Sequence, residues 1–518
     1  MNQLELEKLN EVYFQVKNLT RSSALELKEH LSCKIENWYF HPKVRAKIWD
    51  GRISYYNWDN QTIPIGLYPQ FIKFCKKFGY SFQNKFDKNE IINEISDSDF
   101  EDFYEAIFKD SSYSPRDYQD ECIKKALRMK RGVIESPTAS GKSLIIYSII
   151  RFVFGIVEGK ILLIVPNISL VNQMFSDFKE YGWYHADTYC SLIFHKSKKV
   201  NWKCPIIIST WQSIFKKSPE FFQKFQAVIV DETHGAKANS IQSCLKKCIN
   251  AEYRIGLTGT MPEELVNQFA IFGYLGPKIF EMKSSELIDK GVLSKIKIAN
   301  LILRYPKEIV HQYWHSVDGK MQQNSYQEEL QKIYEYEKRN KVFRYIINKL
   351  DRSQNILILC HRINHLKDIK QYLEDNFSDY NIYEIYGKTE AEERERIRKL
   401  TNLQGQTIIL GTYATLSTGL NIPRLHHVIF ASSYRSKIKV LQSIGRGLRK
   451  HKTKNKLIVW DIVDDLTWVH QWGEKKVLHV NHVFKHWKDR VRYYKKQGFQ
   501  SLTKKINISD INNYDGLS

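Results

Sequence analysis

The sequence is short of acid, of paired cysteines and of long apolar runs, and each shortage narrows what the chain can be. Its 57 Asp and Glu face 79 Lys and Arg, giving a formal net charge of +22 and a pI near 9.3. An excess of that size fits a polyanionic partner and carries no information about fold. Cys33, Cys75, Cys122, Cys190, Cys204, Cys244, Cys248 and Cys360 are scattered along the chain. Cys244-x-x-x-Cys248 has no second pair and no histidine at ligand spacing, which argues against zinc. The scatter is that of a reduced, cytoplasmic protein. No apolar run approaches the ~20 residues that cross a bilayer, so no membrane partner is expected. The acidic start, Met1-Asn-Gln-Leu-Glu-Leu-Glu7, is unlike a signal peptide. Repeats and low-complexity tracts are absent too, which leaves ordinary globular domains.

What is present is long and unevenly charged. A chain of 518 residues implies three or four domains, and 42% hydrophobic content is enough for real cores. Residues 40–85 carry eight Lys and Arg against Asp50 and Asp59, and residues 431–505 carry nineteen against five acids. Cations therefore gather toward both ends.

Three motifs lie between them. Ser136-Pro-Thr-Ala-Ser-Gly-Lys-Ser143 follows the apolar Val133-Ile134 and precedes an apolar stretch from Leu144 to Ile150. This is a strand, a phosphate loop and a helix, with Ser136 where the pattern usually begins on glycine. Backbone N–H groups of Thr138, Ser140 and Gly141 would close around phosphates, helped by the positive end of the helix. Lys142 is expected to reach the β- and γ-phosphates, and Ser143 to bind Mg²⁺. Gln226-Ala-Val-Ile-Val-Asp231-Glu232 is a strand that stops on two acids. Ends of parallel strands are where ligands bind, so Asp231 is the expected second Mg²⁺ ligand and Glu232 the group that polarises attacking water. His234 would couple the site to motion or to the neighbouring lobe. Upstream, Gln119 in Pro115-Arg-Asp-Tyr-Gln119 can read an adenine edge with its paired donor and acceptor. Thr258 and Thr260 end another strand.

Further apolar strands follow at 355–360, 407–412, 427–430 and 457–460, separated by charged helical stretches. Such alternation gives parallel sheets covered on both faces, hence an α/β fold. Gln442, Gly445, Arg446 and Arg449 are spaced i, i+3, i+4 and i+7, so on one helix they would share a face. Two arginines on one stripe suit a γ-phosphate clamp. Gly419 offers a tight backbone turn and Asn421 a polar end to touch ribose or the first lobe.

These motifs in this order resemble those of superfamily 2 DExH helicases over roughly residues 112–460. The resemblance implies two RecA-like lobes with ATP between them. It casts Gln119 as the Q-motif glutamine, Lys142 and Ser143 as the Walker A pair, Asp231 and Glu232 as the Walker B pair, and Arg446 and Arg449 as the motif VI arginines. By the same likeness Val165-Pro166, Thr210-Trp211 and Gly411-Thr412 grip a sugar-phosphate backbone. Asn421 departs from the family's aspartate. Phe40-His-Pro-Lys-Val-Arg-Ala-Lys-Ile-Trp49-Asp-Gly-Arg52, Ile63–Tyr68, Leu303–Pro306, Ser325–Glu329 and Arg435–Gln442 are similar to the phage UvsW family of DNA helicases. That likeness implies remodelling of branched DNA: branch migration, fork regression and removal of R-loops in recombination, repair and replication.

The expected domains are a small α+β nucleic-acid-binding domain (1–105), an ATP-binding lobe (106–290), a second lobe (291–460) and a basic helical extension (461–518). In the first, Lys43, Arg45, Lys47 and Arg52 are the expected DNA contacts, interleaved with rings that either stack on bases or fill the core. Trp49 precedes Asp50-Gly51, a turn signal under which it can pack. In the tail, Val483, Trp487, Val491 and Tyr494 share a helical face, leaving Lys485, Lys488, Arg492 and Lys495 elsewhere. Asp464 or Asp465 with Glu474-Lys-Lys476 matches a short nuclease signature, D…E-x-K, that is frequent by chance. An RNA helicase and a restriction-type nuclease-translocase are therefore the competing readings.

Overall fold

The computed structural model describes residues 3–85, 93–194, 201–237, 239–317, 320–416, 422–472 and 475–511. The chain forms two compact units. One is built from Met1–Pro137 and Gly141–Met282, the other from Lys283–Ser518 together with Thr138–Ser140.

The first unit opens with strands β1 (Leu4–Lys8), β2 (Tyr13–Lys17), β3 (Ser32–Lys34), β4 (Arg52–Ser54), β5 (Thr62–Pro64) and β6 (Phe82–Asn84). Four of them form a mixed sheet in the order β5-β2-β1-β6, and β3 pairs with β4 as a separate two-stranded arm. Alternation puts Leu6, Phe14 and Val16 on one face of the mixed sheet, where Leu27, Phe71 and Phe74 of two covering helices complete a small core.

A seven-stranded parallel sheet follows. Its strands are β7 (Arg131–Glu135), β8 (Lys160–Val165), β9 (Cys190–Ile193), β10 (Ile206–Thr210), β11 (Phe225–Asp231), β12 (Tyr253–Thr258) and β13 (Lys278–Glu281), in the order β13-β7-β12-β11-β8-β10-β9. Runs such as Ile206-Ile-Ile208 and Val228-Ile-Val230 are buried throughout, because helices cover both faces. The small domain is fastened to this lobe. Phe269 and Phe272 pack on its core, the Tyr55 hydroxyl donates to the Val266 carbonyl at 2.6 Å, and Arg131 pairs with Glu11 at 2.7 Å.

The second unit repeats the plan with β14 (Lys295–Arg304), a hairpin of β15 (His315–Val317) and β16 (Lys320–Gln322), then β17 (Ile356–Cys360), β18 (Asn381–Ile385), β19 (Thr407–Thr412), β20 (His427–Phe430) and β21 (Lys456–Asp465). A second hairpin, β22 (Trp468–Trp472) with β23 (Lys475–His479), precedes the helix His482–Lys496 and β24 (Gln500–Asn507). The parallel sheet runs β18-β19-β17-β20-β21-β14-β24. Two helix-covered parallel sheets are thus as the alternation implies, and their RecA-like character as the helicase resemblance implies.

Two expected boundaries fall inside elements. The helix Asp97–Phe108, acidic on its outside, straddles 105/106 because Phe100 stacks on Phe152 of the first lobe at 5.6 Å. At 460/461 the expected cut divides β21, and the tail is not purely helical: β24 pairs with β14 from Gln500 to Asn507. The tail helix buries Val483, Arg490 and Tyr494, while Lys485, Lys488, Arg492 and Lys495 face solvent. Arg490 is inward because Asp461 on β21 takes it in a two-pronged pair, at 2.9 and 2.7 Å.

Candidate functional site

Neighbouring strands β7, β12 and β11 end level with one another. Glu135 lies opposite Thr258, and Leu257 opposite Asp231, so three loops leave the sheet side by side at its carboxyl edge. The Ser136–Ser143 loop leaves β7, the Asp231–His234 segment leaves β11, and Thr258–Thr260 leave β12. The Ser136 amide donates to the Thr258 carbonyl at 2.9 Å, tying the first loop to the third.

The phosphate loop turns through two left-handed residues, Ala139 (φ 69°) and Gly141 (φ 81°), before the helix Lys142–Phe154. A side chain at Gly141 would strike the Gln119 amide. Gln119 is buried; its Oε1 accepts from the Arg116 amide at 2.9 Å and its Nε2 donates to the Gly141 carbonyl at 3.4 Å. Its amide is thus engaged with the loop itself. Lys142 Nζ donates to the Ser136 and Pro137 carbonyls at 3.2 and 3.3 Å. Ser143 Oγ is 2.7 Å from the Tyr181 hydroxyl, a partner invisible in sequence because it comes from another element.

Desolvation pushes the Asp231 carboxyl up to about 7, and the adjacent Glu232 charge adds to the rise while Lys142 opposes it. The Glu232 amide donates to Asp231 Oδ1 at 2.9 Å, and Glu232 has a positive φ of 54°. A non-glycine residue held there is a strained position of the kind found at functional sites. His234 Nδ1 stands 3.2 Å from both Glu232 Oε2 and Thr258 Oγ1. Thr258 Oγ1 in turn donates to the Thr260 carbonyl at 3.1 Å. Lys142, Asp231, Glu232, His234 and Thr258 therefore occupy one edge.

In the second unit, Gln442 and Gly445 lie on the helix Lys437–Arg446, which ends at Arg446. Arg449 is not on it, so the four residues do not share a helical face. Gly447 caps the helix, and a Cβ there would meet Leu457 Cδ1 at 2.5 Å. The chain then runs extended past Leu293, with Ser294 Oγ donating to the Arg449 carbonyl at 3.1 Å. Gly419 and Asn421 lie outside the described residues.

The expected backbone-gripping residues end strands. Thr210 closes β10 and Thr412 closes β19; each hydroxyl pairs three residues on, with Ser213 at 2.8 Å and Thr415 at 3.0 Å. Pro166 follows β8, and Trp211 opens a short helix, both part-exposed. In the small domain Lys43, Arg45 and Lys47 are exposed, whereas Arg52 faces Glu29 at 3.6 Å and Asp50 at 3.8 Å. The Trp49 indole donates to the Arg52 carbonyl at 2.8 Å, packing at the Asp50-Gly51 turn.

The aspartates of the nuclease signature have other partners. Asp464 is buried and receives Arg339 at 2.8 and 2.9 Å and the Tyr305 hydroxyl at 2.7 Å. Asp465 accepts from the Thr467 amide at 3.0 Å, and Glu474 lies outside the described residues. No cluster of three metal-ligating side chains occurs among the described residues. None of their helices is long and apolar enough to cross a membrane.

Comparison with known proteins covers most of this architecture. The family model for "Type III restriction enzyme, res subunit" matches residues 112–263, the model for "Helicase conserved C-terminal domain" matches 337–451, and that for "DNA helicase UvsW, N-terminal" matches 6–85. The first match stops well short of the Asp464–Lys476 segment. The chain is 26% identical over 371 residues to the DNA 3'-5' translocase XPB2 of Sulfurisphaera tokodaii, covering 66% of this chain and 80% of that one. Against the crystal structure of T4 UvsW it has 29% identity and a TM-score of 0.50, covering 98% of this chain and 100% of that one. The ATP-dependent DNA helicase uvsW of Enterobacteria phage T4 is 31% identical over 494 residues, 93% of this chain and 95% of the relative. Identity sustained over almost the whole of both chains exceeds a shared fold, and the chain belongs to the UvsW family of ATP-dependent DNA helicases.

Proposed function

We propose that the chain hydrolyses ATP with Mg²⁺ to move along DNA and remodel branched structures, migrating branches, regressing forks and displacing RNA from R-loops. The observation that carries this reading is the convergence of Lys142, Asp231, Glu232 and Thr258 on one sheet edge.

The site's donors suit the reactants. A backbone cradle with no room for a side chain at Gly141 fits phosphate oxygens. Thr138, Ser140 and Gly141 contribute its amides. Ser143 and Asp231 are hard oxygen ligands of the kind Mg²⁺ takes. Bound there, the metal would neutralise charge on the phosphates. Lys142 exchanges two carbonyl partners of its own loop for the β- and γ-phosphates. Glu232 orients the attacking water, and His234 passes its state to Thr258. Gln119, its buried amide engaged by Arg116 and Gly141, braces the cradle. Gln442, Arg446 and Arg449 stabilise charge on the transferring phosphoryl group, with Gly419 beside the nucleotide. Pro166, Thr210, Trp211 and Thr412 meet the strand being tracked; the two threonine hydroxyls are engaged in their own turns, so backbone amides make that contact. Lys43, Arg45 and Lys47 hold further phosphates, and Arg52, ion-paired, contributes less.

The test is DNA-stimulated ATP hydrolysis by wild type, Lys142→Ala and Glu232→Gln, with a four-way junction, an R-loop and a plain fork as substrates. Both variants should bind DNA and fail to turn over. Hydrolysis at the wild-type rate in either would overturn the site, and stronger stimulation by single-stranded RNA than by any DNA would overturn the substrate.

A further inference from the structure

The segment between β3 and β4 is a small structure of its own, and its rings fall into two kinds. Trp38 and Trp49 hold it together. Gly51, at φ 79°, lets the chain pass over Trp38, where a Cβ would come within 2.7 Å of the Trp38 Cβ. Lys34 Nζ sits 3.5 Å from the Trp38 ring, His41 meets Trp49 edge to face at 5.0 Å, and the Ile35 amide donates to the Gly51 carbonyl at 2.9 Å.

Tyr39 touches this frame only edge to face with Trp38, at 6.0 Å, and neither it nor Phe40 is covered by it. They lie together, centroids 4.4 Å apart, and are 53% and 59% exposed. Ile48, later in the same segment, is 77% exposed. A frame that half-buries two tryptophans while leaving two neighbouring rings largely in water marks those rings for a partner. The partner's charge follows from the same stretch. Residues 37–49 contain Lys43, Arg45 and Lys47 and no acid, and the Arg45 guanidinium lies 5.5 Å from the Phe40 ring.

A groove of about 1100 Å³ at the base of this arm has a different character. Its lining includes Asn57, Asn60, Asn239 and Glu36, with Lys246 its one cation, so it does not attract phosphate. The tip does, and it offers flat apolar faces that a fully stacked duplex cannot use. Unpaired bases can use them, since every base has a π-face.

We propose that Tyr39 and Phe40 form a stacking platform for unpaired bases of single-stranded DNA, with Lys43, Arg45 and Lys47 holding the adjoining phosphates. This rests on the helicase reading and gives it a branch sensor: the arm engages where strands have separated.

Full-length wild type, a Tyr39→Ala/Phe40→Ala double variant, Phe40→Trp, and Lys43→Ala/Lys47→Ala would be titrated by anisotropy against a thymidine oligonucleotide and a blunt duplex. A fork carrying 2-aminopurine at its first unpaired position reports stacking directly. The double alanine variant should lose about 10- to 100-fold in single-strand affinity, change less than about twofold on duplex, and lose the 2-aminopurine quench. Phe40→Trp should behave as wild type. The lysine variant should weaken both ligands and flatten the salt dependence by about one unit per lost contact. Thermal unfolding matching wild type confirms that the ring variant is folded. Single-strand affinity within about twofold of wild type, an equal loss on duplex, or an unchanged quench would overturn the proposal. DNA-stimulated hydrolysis separates the two readings. If wild type shows none on any DNA, the motor assignment fails. If it shows normal stimulation while the ring variant binds single strands like wild type, only the platform fails.

Discussion

Replacing Arg490 by methionine should unfasten the second unit from within. Arg490 is 1% exposed and Asp461 0% exposed in their side chains, so neither charge reaches water. The guanidinium donates to both Asp461 oxygens at 2.9 and 2.7 Å, to Ser433 Oγ at 3.0 Å and to the Tyr434 carbonyl at 3.3 Å. Tyr494 adds a bond to Asp461 Oδ2 at 2.8 Å. With Arg490 gone, a buried carboxylate keeps only that phenol, and removing one partner of such a pair costs about 3–5 kcal/mol. The damage should be directional. Ser433 and Tyr434 lead into the helix that carries Gln442 and Arg446, so hydrogen exchange should rise across residues 433–446. Urea unfolding of the full chain would give the stability of Arg490→Met, Asp461→Asn and the double variant, with exchange read by mass spectrometry. The two changes should be coupled by about 1–3 kcal/mol, the double variant being less damaged than the sum. Additivity within about 0.5 kcal/mol would refute the argument, as would exchange at 433–446 that matches wild type.

Three other outcomes follow from the same structure. Gly141→Ala should raise the KM for ATP about tenfold or more, because a left-handed alanine costs about 1–2 kcal/mol and its methyl displaces Gln119; an unchanged KM would contradict the cradle. Tyr55→Phe should cost about 0.5–1.5 kcal/mol and speed proteolytic release of the small domain, since it deletes the 2.6 Å bond to Val266; equal cleavage rates would count against that fastening. All eight cysteines are free and buried, so a thiol reagent should label the native protein slowly and denatured protein fully, and rapid labelling of native protein would contradict the packing.

The phosphate loop and the acidic strand end were legible because each lies on a continuous apolar run that stops abruptly, and chemistry at a strand end needs few residues. Arg449 was misread for a tertiary reason. Its i+7 spacing suits a helix, but Gly447 passes so close to Leu457 that the helix stops first. The tail failed similarly. Gln500–Asn507 is exposed along most of its length and offers no apolar alternation, yet it pairs with β14 through its backbone. Asp464 resembled a metal ligand until Arg339, far away in sequence, was seen to hold it. Contacts between distant elements leave no local periodicity, and these are the places where reading along the chain runs out.

The late arrival of β24 bears on how the protein is made. The first sheet takes all its strands from residues before Met282, so it can form while the rest is still being synthesised. Until residue 507 has left the ribosome, however, the long strand β14 has one bare flank, a row of unsatisfied amides and carbonyls open to neighbouring nascent chains. Slow translation across the segment that encodes β24, or low temperature at that stage, should therefore govern the soluble yield more than events while the first sheet is made.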